Sequence, residues 1–279
     1  MCGLQFQNKR RPQRLAEQIW REHTWKRQTV KDLAKRYRRG KDWVRKTIDA
    51  ATVRDPAIIA ACPVVGVFDA TKIGTKLLLV GRAPALKANL GWAWIPQETK
   101  EAYAGLRVFI EAKGFTLTAA VLDGRTGIPR VFQDIPVQLC QFHQLQTVRR
   151  KLTLRPETDA GKELLHITFG IAKSTEAEFT QQLAAWFTHY ESFINERTYT
   201  IGCTHWRYTH ARVRSAYRSL KKNLPSLFTY QRYPALAIPN TTNSLDGYWS
   251  YLKNLLSAHR GKTEDRIKKL VTEILRKTT

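Results

Sequence analysis

The chain has 279 residues and carries 47 Lys+Arg against 23 Asp+Glu, a formal net charge of +24. At ~150 residues per domain, that length suits two domains, or one large domain with a satellite. A 43% hydrophobic share with 8 Trp, 10 Tyr and 11 Phe can bury a core, which excludes a disordered polybasic tail. No stretch approaches the ~20 apolar residues of a membrane span, and the opening MCGLQFQNKRRPQRL lacks the apolar core of a signal peptide. Cys2, Cys62, Cys140 and Cys203 are too few and too scattered for a disulfide framework, so the expected setting is reducing and cytoplasmic. A charge of this size points to a polyanionic partner.

The charge is unevenly spread. Residues 1–50 hold 15 Lys+Arg and 5 Asp+Glu, residues 51–210 hold 18 and 14, and residues 211–279 hold 14 and 4. Two basic ends flank a near-neutral centre. One such run is commonly a solvated face, but two around an apolar-rich middle suit surfaces that grip a phosphate backbone.

After a basic arm of Lys9, Arg10, Arg11 and Arg14, helical spacing appears at Leu15, Ile19 and Trp20. A second helix is predicted from the cap Thr29, with Val30, Leu33, Ala34 and Tyr37 on one face. Gly40 breaks it, and KDWVRKTIDA follows with Val44 and Ile48 four apart. Two short helices joined through a Gly turn match a helix-turn-helix, whose second helix would lie in the major groove. Lys41, Asp42, Arg45 and Lys46 form its solvent-facing set, with Lys41, Arg45 and Lys46 as DNA contacts. A plain three-helix cap on the next domain fits the same pattern. Asp55-Pro56 marks a linker. Cys2-Gly3 has no neighbouring ligand and supports no metal site; it would end a zinc ribbon only if further cysteines preceded it.

In CPVVGVFDATKIGTKLLLVG, the apolar run Val64, Val65, Val67 and Phe68 ends in Asp69, and a second strand over 76–80 follows across Ile73-Gly74 as a hairpin. An amphipathic helix over 99–112 presents Tyr103, Leu106 and Ile110. TLTAAVLDGRTG then puts Asp123 at the end of another apolar strand. Two carboxylates on neighbouring strands repel each other unless a divalent cation lies between them, and Mg²⁺ prefers such oxygen ligands. That pair suits a two-metal phosphodiester site. For each Asp alone, a turn residue after a strand is the competing reading.

The third acidic candidate lies in IPNTTNSLDGYWSYLKNLLSAHRG. Asn243 can cap a helix through Leu245, Tyr248, Trp249, Leu252, Leu255 and Leu256. Asp246 projects from its first turn, and Lys253 lies two turns on along the same face. Asn243 with Asp246 also reads as a capping box. The functional alternative aims the carboxylate at metal, with Lys253 and Tyr248 holding DNA phosphate.

These motifs together resemble the Mutator-like DDE transposases, a superfamily shared with many bacterial insertion sequences. The resemblance covers most of the chain and rests on FDATKIG with Asp69, VLDGRTG with Asp123, LCQFHQLQTVRRKL with Cys140 and His143, and TTNSLDG with Asp246 ahead of AHRG. It implies an RNase H-like α/β fold, a mixed five-stranded sheet flanked by helices and interrupted by a helical insertion, beside the N-terminal all-α helix-turn-helix domain. The implied organisation is 1–57 arm and DNA-binding domain, 62–155 first part of the catalytic core, 156–237 insertion, and 238–279 last core helix with a basic tail. The gaps agree: 53 residues separate Asp69 from Asp123, and 122 separate Asp123 from Asp246. The second gap holds 161–170, 176–190 and His205-Trp206-Arg207-Tyr208, a composition that reads as helical and polar.

The resemblance implies Asp69, Asp123 and Asp246 as catalytic ligands for two Mg²⁺ or Mn²⁺ ions, double-stranded DNA as partner, and at least a homodimer working on two transposon ends. The implied setting is the nucleoid. The family's third acid is commonly Glu, whereas Asp246 is one methylene shorter; Glu264 or Asp265, in GKTEDR, are the fallback candidates for the third ligand. For Cys140 and His143 three readings stand: a buried structural pair, active-site support near the scissile phosphate, or half of a zinc site completed by Cys203, His205 or His210. Trp206, with Arg207 and Tyr208, either stacks on an unpaired base or packs in the core. A catalytically inactive DNA-binding derivative and a structure-selective nuclease are the competing functions.

Overall fold

The computed structural model describes residues 11–53, 55, 59–199, 205–259 and 261–277, with Arg11 and Pro12 by backbone alone. Cys2, Lys9, Arg10, Pro56 and Cys203 lie outside the described residues. The chain divides into two compact units, Met1–Ala60 with Asp246–Thr279, and Ala61–Leu245. The segment 238–279 is therefore split at Leu245.

The first unit is helical. Helix α1 spans Arg11–Trp25, α2 spans Val30–Tyr37 and α3 spans Lys41–Ala50. Thr29 and Asp32 form a full capping box on α2, each side chain bonding the other's backbone amide. The helix ends where Arg38 turns left-handed, its amide donating back to Ala34 and Lys35. Gly40 then precedes α3 as its cap residue. Ile19, Leu33, Val44 and Ile48 are buried, at about 1.5–3 kcal/mol for each large apolar side chain. The same unit contains α11, Glu264–Leu275, whose buried face is Leu270, Val271, Ile274 and Leu275. Arg266 clamps Asp49 through two N–H groups, and Lys269 Nζ caps α3 at the carbonyls of Ile48 and Asp49.

The second unit is built on one five-stranded mixed sheet flanked by helices. Strands β1 (Pro63–Ile73), β2 (Lys76–Ala83) and β3 (Ala88–Ile95) form an antiparallel meander. After α4 (Lys100–Ala112), strand β4 (Thr116–Leu122) pairs with β1 in parallel, and β5 (Val137–Leu139) pairs with β4 in parallel. The order across the sheet is β3-β2-β1-β4-β5. The hairpin expected at Ile73-Gly74 is present, with Gly74 at φ +63 and Ile73 facing Lys76. β1 does not stop at Asp69. It runs on to Ile73, because Asp69 and the next four residues continue the pairing with β2. β3 carries no clear sequence signal, since Gly91 interrupts its apolar run.

Phe68 anchors one face of this sheet. It is fully buried and meets Phe132 with ring centroids 4.8 Å apart. A Cβ on Gly66 would sit 2.6 Å from Phe68, and one on Gly81 would sit 2.6 Å from Ile110 of α4 and 2.9 Å from Phe68. The two glycines leave the room that the ring occupies. Arg107 of α4 fastens the 3-10 turn Ile128–Phe132, donating to the Val131 carbonyl and to both oxygens of Asp134.

Helices α5 (Gln141–Leu152), α6 (Asp159–Phe169), α7 (Glu176–Asn195), α8 (Ala211–Leu227) and the short α9 (Thr229–Arg232) complete this unit. Buried glutamines attach them to the outermost strand. Gln138 Nε2 donates to the Leu227 and Leu139 carbonyls, and its Oε1 accepts from the Tyr230 amide. Gln141 also donates to Leu227, and Thr229 Oγ1 to Val137. These bonds satisfy polar groups that an open sheet edge would leave exposed.

The stretch 205–208 is not helical. Trp206–Tyr208 forms β7, antiparallel to β6 at Arg197–Tyr199. Aromatic residues favour such a ribbon, and the Arg197 guanidinium lies 4.0 Å over the Trp206 ring. Helix α10, Asn243–Ser257, begins in the sheet unit and from Asp246 onward belongs to the helical one. No described helix is long and apolar enough to cross a membrane.

Replacing Phe68 with Ala should cost about 3–5 kcal/mol in the sheet unit, the range for emptying a buried aromatic site. Urea unfolding followed by tryptophan fluorescence measures this, and Phe68→Leu should recover most of the loss.

Candidate functional site

The parallel register of β1 and β4 sets the centre of the site. Val67 faces Val121 in the pairing. Asp69 lies two residues further along β1, where the period of two turns it away from Phe68, and Asp123 lies two residues beyond Val121, just past the end of β4; both carboxylates act on Glu98 and His143. Asp69 is held within β1 opposite Val80 and is only 8% exposed. Asp123 follows the last residue of β4 and is half-buried.

Asp123 is also a turn residue, since its Oδ1 accepts the Arg125 amide at 2.9 Å, next to Gly124 at φ +84. The two readings of this residue coexist. The turn occupies Oδ1, and the Arg125 guanidinium lies 3.9 Å from Oδ2.

A third carboxyl of the sheet unit stands beside this pair, one that no sequence motif flagged. Glu98, between β3 and α4, has a side chain 9% exposed and pairs with Arg125 at 3.1 Å. Tyr103 donates its hydroxyl to the same carboxylate at 3.4 Å. Burial pushes the Glu98 carboxyl up, opposed by Arg125 and reinforced by Asp123 and Asp69. Its sequence setting, just before the helix cap Thr99, reads as ordinary capping chemistry.

His143 closes the other side. Strand β5 runs into Cys140, whose amide donates to the Leu122 carbonyl at 2.7 Å, and α5 starts there. His143 therefore sits in the first turn of α5, near the end of β4. The segment 240–242 is stitched to the same turn. Gln141 and Asn240 exchange two bonds of 3.0 Å, and the Thr242 amide and hydroxyl reach Cys140 Sγ at 3.3 and 3.4 Å. Thr242 Oγ1 also lies 3.3 Å from His143 Nδ1.

The bond to Cys140 holds the His143 imidazole up at about 9 against the burial that lowers it, with Asp69 and Asp123 adding to the rise. Burial drives the Cys140 thiol up, but the bonds from His143 and Thr242 outweigh it and leave the thiol below its ordinary value. The geometry thus brings Asp69, Asp123, Glu98, Arg125, Cys140 and His143 into one neighbourhood. Of the ligands that could complete a zinc site, His210 bonds Glu196 at 2.9 Å and stacks on Phe193, and Cys203 lies outside the described residues.

The remaining sequence candidates are placed by their own elements. Asp246 is half-buried in the first turn of α10 and belongs to the helical unit. Asn243 is the first residue of that helix rather than its cap. Lys253 is exposed, whereas Tyr248 is buried with its hydroxyl donated to the Ile274 carbonyl at 3.0 Å, which removes it as a phosphate contact. Glu264 and Asp265 occupy the first turn of α11, where Glu264 pairs with Lys268. Lys41, Arg45 and Lys46 all lie on the exposed face of α3, with Arg45 held by Asp42 at 2.7 Å. Trp206 is 41% exposed and Arg207 is exposed, so the core reading of Trp206 fails.

Asp69 and Asp123 form a hard-oxygen donor pair suited to Mg²⁺ or Mn²⁺, which bind through one or two carboxylates plus water and substrate phosphate. Among the described residues, no three His, Cys, Asp or Glu side chains are grouped to cage a metal by themselves. No protein-family model matches the sequence, and no curated protein is similar enough to count as a relative.

Because the folded-state value of His143 lies above its ordinary 6.5, the charged ring favours the fold at neutral pH, and that contribution is lost as pH rises through about 9. NMR titration of the imidazole should find it still protonated at pH 8, and Cys140→Ala should move its midpoint down toward the ordinary value.

Proposed function

We propose that the chain is a metal-dependent DNA transposase of the Mutator-like DDE kind, carrying out phosphodiester hydrolysis and strand transfer at transposon ends. The observation that carries the reading is the parallel β1–β4 pairing, which runs up to Val67 and Val121 and leaves Asp69 and Asp123, each two residues on, both close enough to act on His143 and Glu98. The strand order β3-β2-β1-β4-β5, antiparallel on one side of β1 and parallel on the other, supports the RNase H-like form of the fold. A helix-turn-helix reading of α1–α3 is supported by the exposed Lys41, Arg45 and Lys46 along α3.

In this reading Asp69 and Asp123 would hold the metal ions, and the sequence motif offers Asp246 as a further carboxylate. Two bound divalent ions supply Lewis acidity at the attacking and leaving oxygens of the phosphodiester. The chain's own groups do the remaining work. His143, kept protonated by Cys140, donates to a phosphate oxygen next to the two aspartates. Arg125 holds Glu98 and the backbone turn at Asp123, which fixes the direction of that carboxylate. Thr242 locks the imidazole and thiol in register. The overall chemistry is hydrolysis that frees a 3′-OH, followed by attack of that hydroxyl on target DNA. Arg207, Trp206 and Lys253 extend the DNA surface, and work on two ends calls for at least a dimer.

A catalytically inactive, DNA-binding derivative and a structure-selective nuclease are the competing readings.

Duplexes taken from the DNA flanking the coding sequence separate these. With Mg²⁺ or Mn²⁺ the wild type should nick and join them, while Asp69→Ala and Asp123→Ala should lose at least about 100-fold of the rate, since partners outside the metal's own ligands already account for 10–100-fold. DNA affinity should persist in both variants. Cleavage without joined products would identify a nuclease, and normal cutting by the variants would remove Asp69 and Asp123 from the site. Adding Mg²⁺ to the wild type should also lower the His143 midpoint, because the metal neutralises the two carboxylates that help raise it.

A further inference from the structure

The helical unit carries an open cavity of about 480 Å³ whose described lining contains Lys31, Lys41, Arg45, Lys262 and Arg266 but no Asp or Glu. Three carboxylates lie beside these cations, and all are committed. Asp32 accepts from the Thr29 amide and hydroxyl. Asp49 accepts two bonds from Arg266, at 2.8 and 2.5 Å, and Asp42 accepts one from Arg45. Lys31, Lys41 and Lys262 therefore face the cavity without a carboxylate bonded to them among the described residues.

Two histidines complete the wall. His23 is buried, with Nδ1 2.7 Å from the Gln28 carbonyl and Nε2 2.5 Å from Lys262 Nζ. A lysine ammonium can only donate, so Nε2 is the acceptor, Nδ1 carries the proton and the ring is neutral. His259 packs against it with ring centroids 4.1 Å apart and is 8% exposed. By hydrogen-bond geometry neither His259 ring nitrogen is satisfied, although the His23 backbone carbonyl lies close enough to favour a proton on the ring. Any imidazole presents at least one N–H, which needs an acceptor when it is buried. The cationic side chains around it offer only donors.

The same wall takes in the start of α3. Gly40 gives no side-chain cap to that helix, and Lys41 of its first turn lines the cavity. An uncapped helix start carries free amides and a partial positive charge, which favour an anion. A transition metal is a poor occupant, because the His23 lone pair is taken by Lys262 and the surrounding charge repels a cation.

We propose that this cavity binds a phosphoryl group, with Lys262 and Lys31 neutralising it and the His259 ring donating to one of its oxygens. The group comes either from the DNA backbone or from a free phosphorylated ligand. The inference does not rest on the catalytic reading, since every residue it uses lies in the helical unit. Burial, with the charge of Lys262 next, lowers His259 to about 4, so an anion seated here should raise its midpoint.

Pyrophosphate is the probe. It should raise the Tm of the full-length chain and shift the His259 resonances. Lys262→Gln, which keeps a donor for His23, should weaken pyrophosphate at least tenfold, and Lys31→Ala guards against a folding defect in the first variant. Lys46→Ala, exposed outside the cavity wall, should leave pyrophosphate binding unchanged, as should Asp69→Ala, so failure of the catalytic reading is read separately. If the phosphate is DNA-borne, duplex DNA should displace pyrophosphate, and Lys262→Gln should reduce the log–log salt slope of DNA binding by about 1. If the ligand is free, pyrophosphate should bind beside DNA with the slope unchanged. Folded Lys262→Gln and Lys31→Ala proteins that match the wild type in both pyrophosphate binding and salt slope would overturn the proposal.

Discussion

The parallel pairing of β1 with β4 is the constraint on which the sheet unit depends. A strand pair of this kind needs a crossover, and α4 supplies it between β3 and β4. Within β1 the alternation turns Asp69 away from Phe68. With Val67 facing Val121, Asp123 follows just past the end of β4, where it and Asp69 both act on His143 and Glu98. The apolar side is closed by Phe132, Ile110 and the two glycines that accommodate the Phe68 ring. The polar side is left for chemistry. A slip of one residue would exchange the two and bury the carboxylate among the aromatic groups.

Around that pair the unit holds its charges in balance by connecting distant segments. Glu98 comes from the loop before α4, Arg125 from the turn after β4, and His143 from the start of α5. Thr242, about a hundred residues beyond Cys140, bonds both the thiol and the imidazole. The buried glutamines Gln138 and Gln141 fasten the α8–α9 corner to the last strand, so the helical insertion docks through satisfied hydrogen bonds. Residues far apart in the chain thus form one polar neighbourhood, and the raised His143 is its electrostatic consequence.

The helical unit handles charge differently. Its cations are spent structurally where a carboxylate or a helix end is available, as with Arg266 on Asp49 and Lys269 on the end of α3. Where none is available they line a cavity with two buried histidines. The excess positive charge of the chain ends is therefore not one uniform surface. Part of it organises the fold of α3 and α11, and part is left facing open volume.

Local rules were enough to read some of this from the residues alone. The Thr29–Asp32 box, the Gly74 hairpin, the amphipathic α4 and the apolar strands ahead of Asp69 and Asp123 are all short-range patterns, set by propensity, capping and period. Glu98 was illegible because, in sequence, it looks like any acid ahead of a helix. β3 was hidden by Gly91, and the β6–β7 ribbon by a polar composition that only cross-strand stacking turns into strand. Tyr248 looked available until Ile274 claimed its hydroxyl. Which acids lie together, which histidine is charged and which is dry are questions of register, burial and contacts across long loops. Those are properties of packing, and no window along the chain contains both partners.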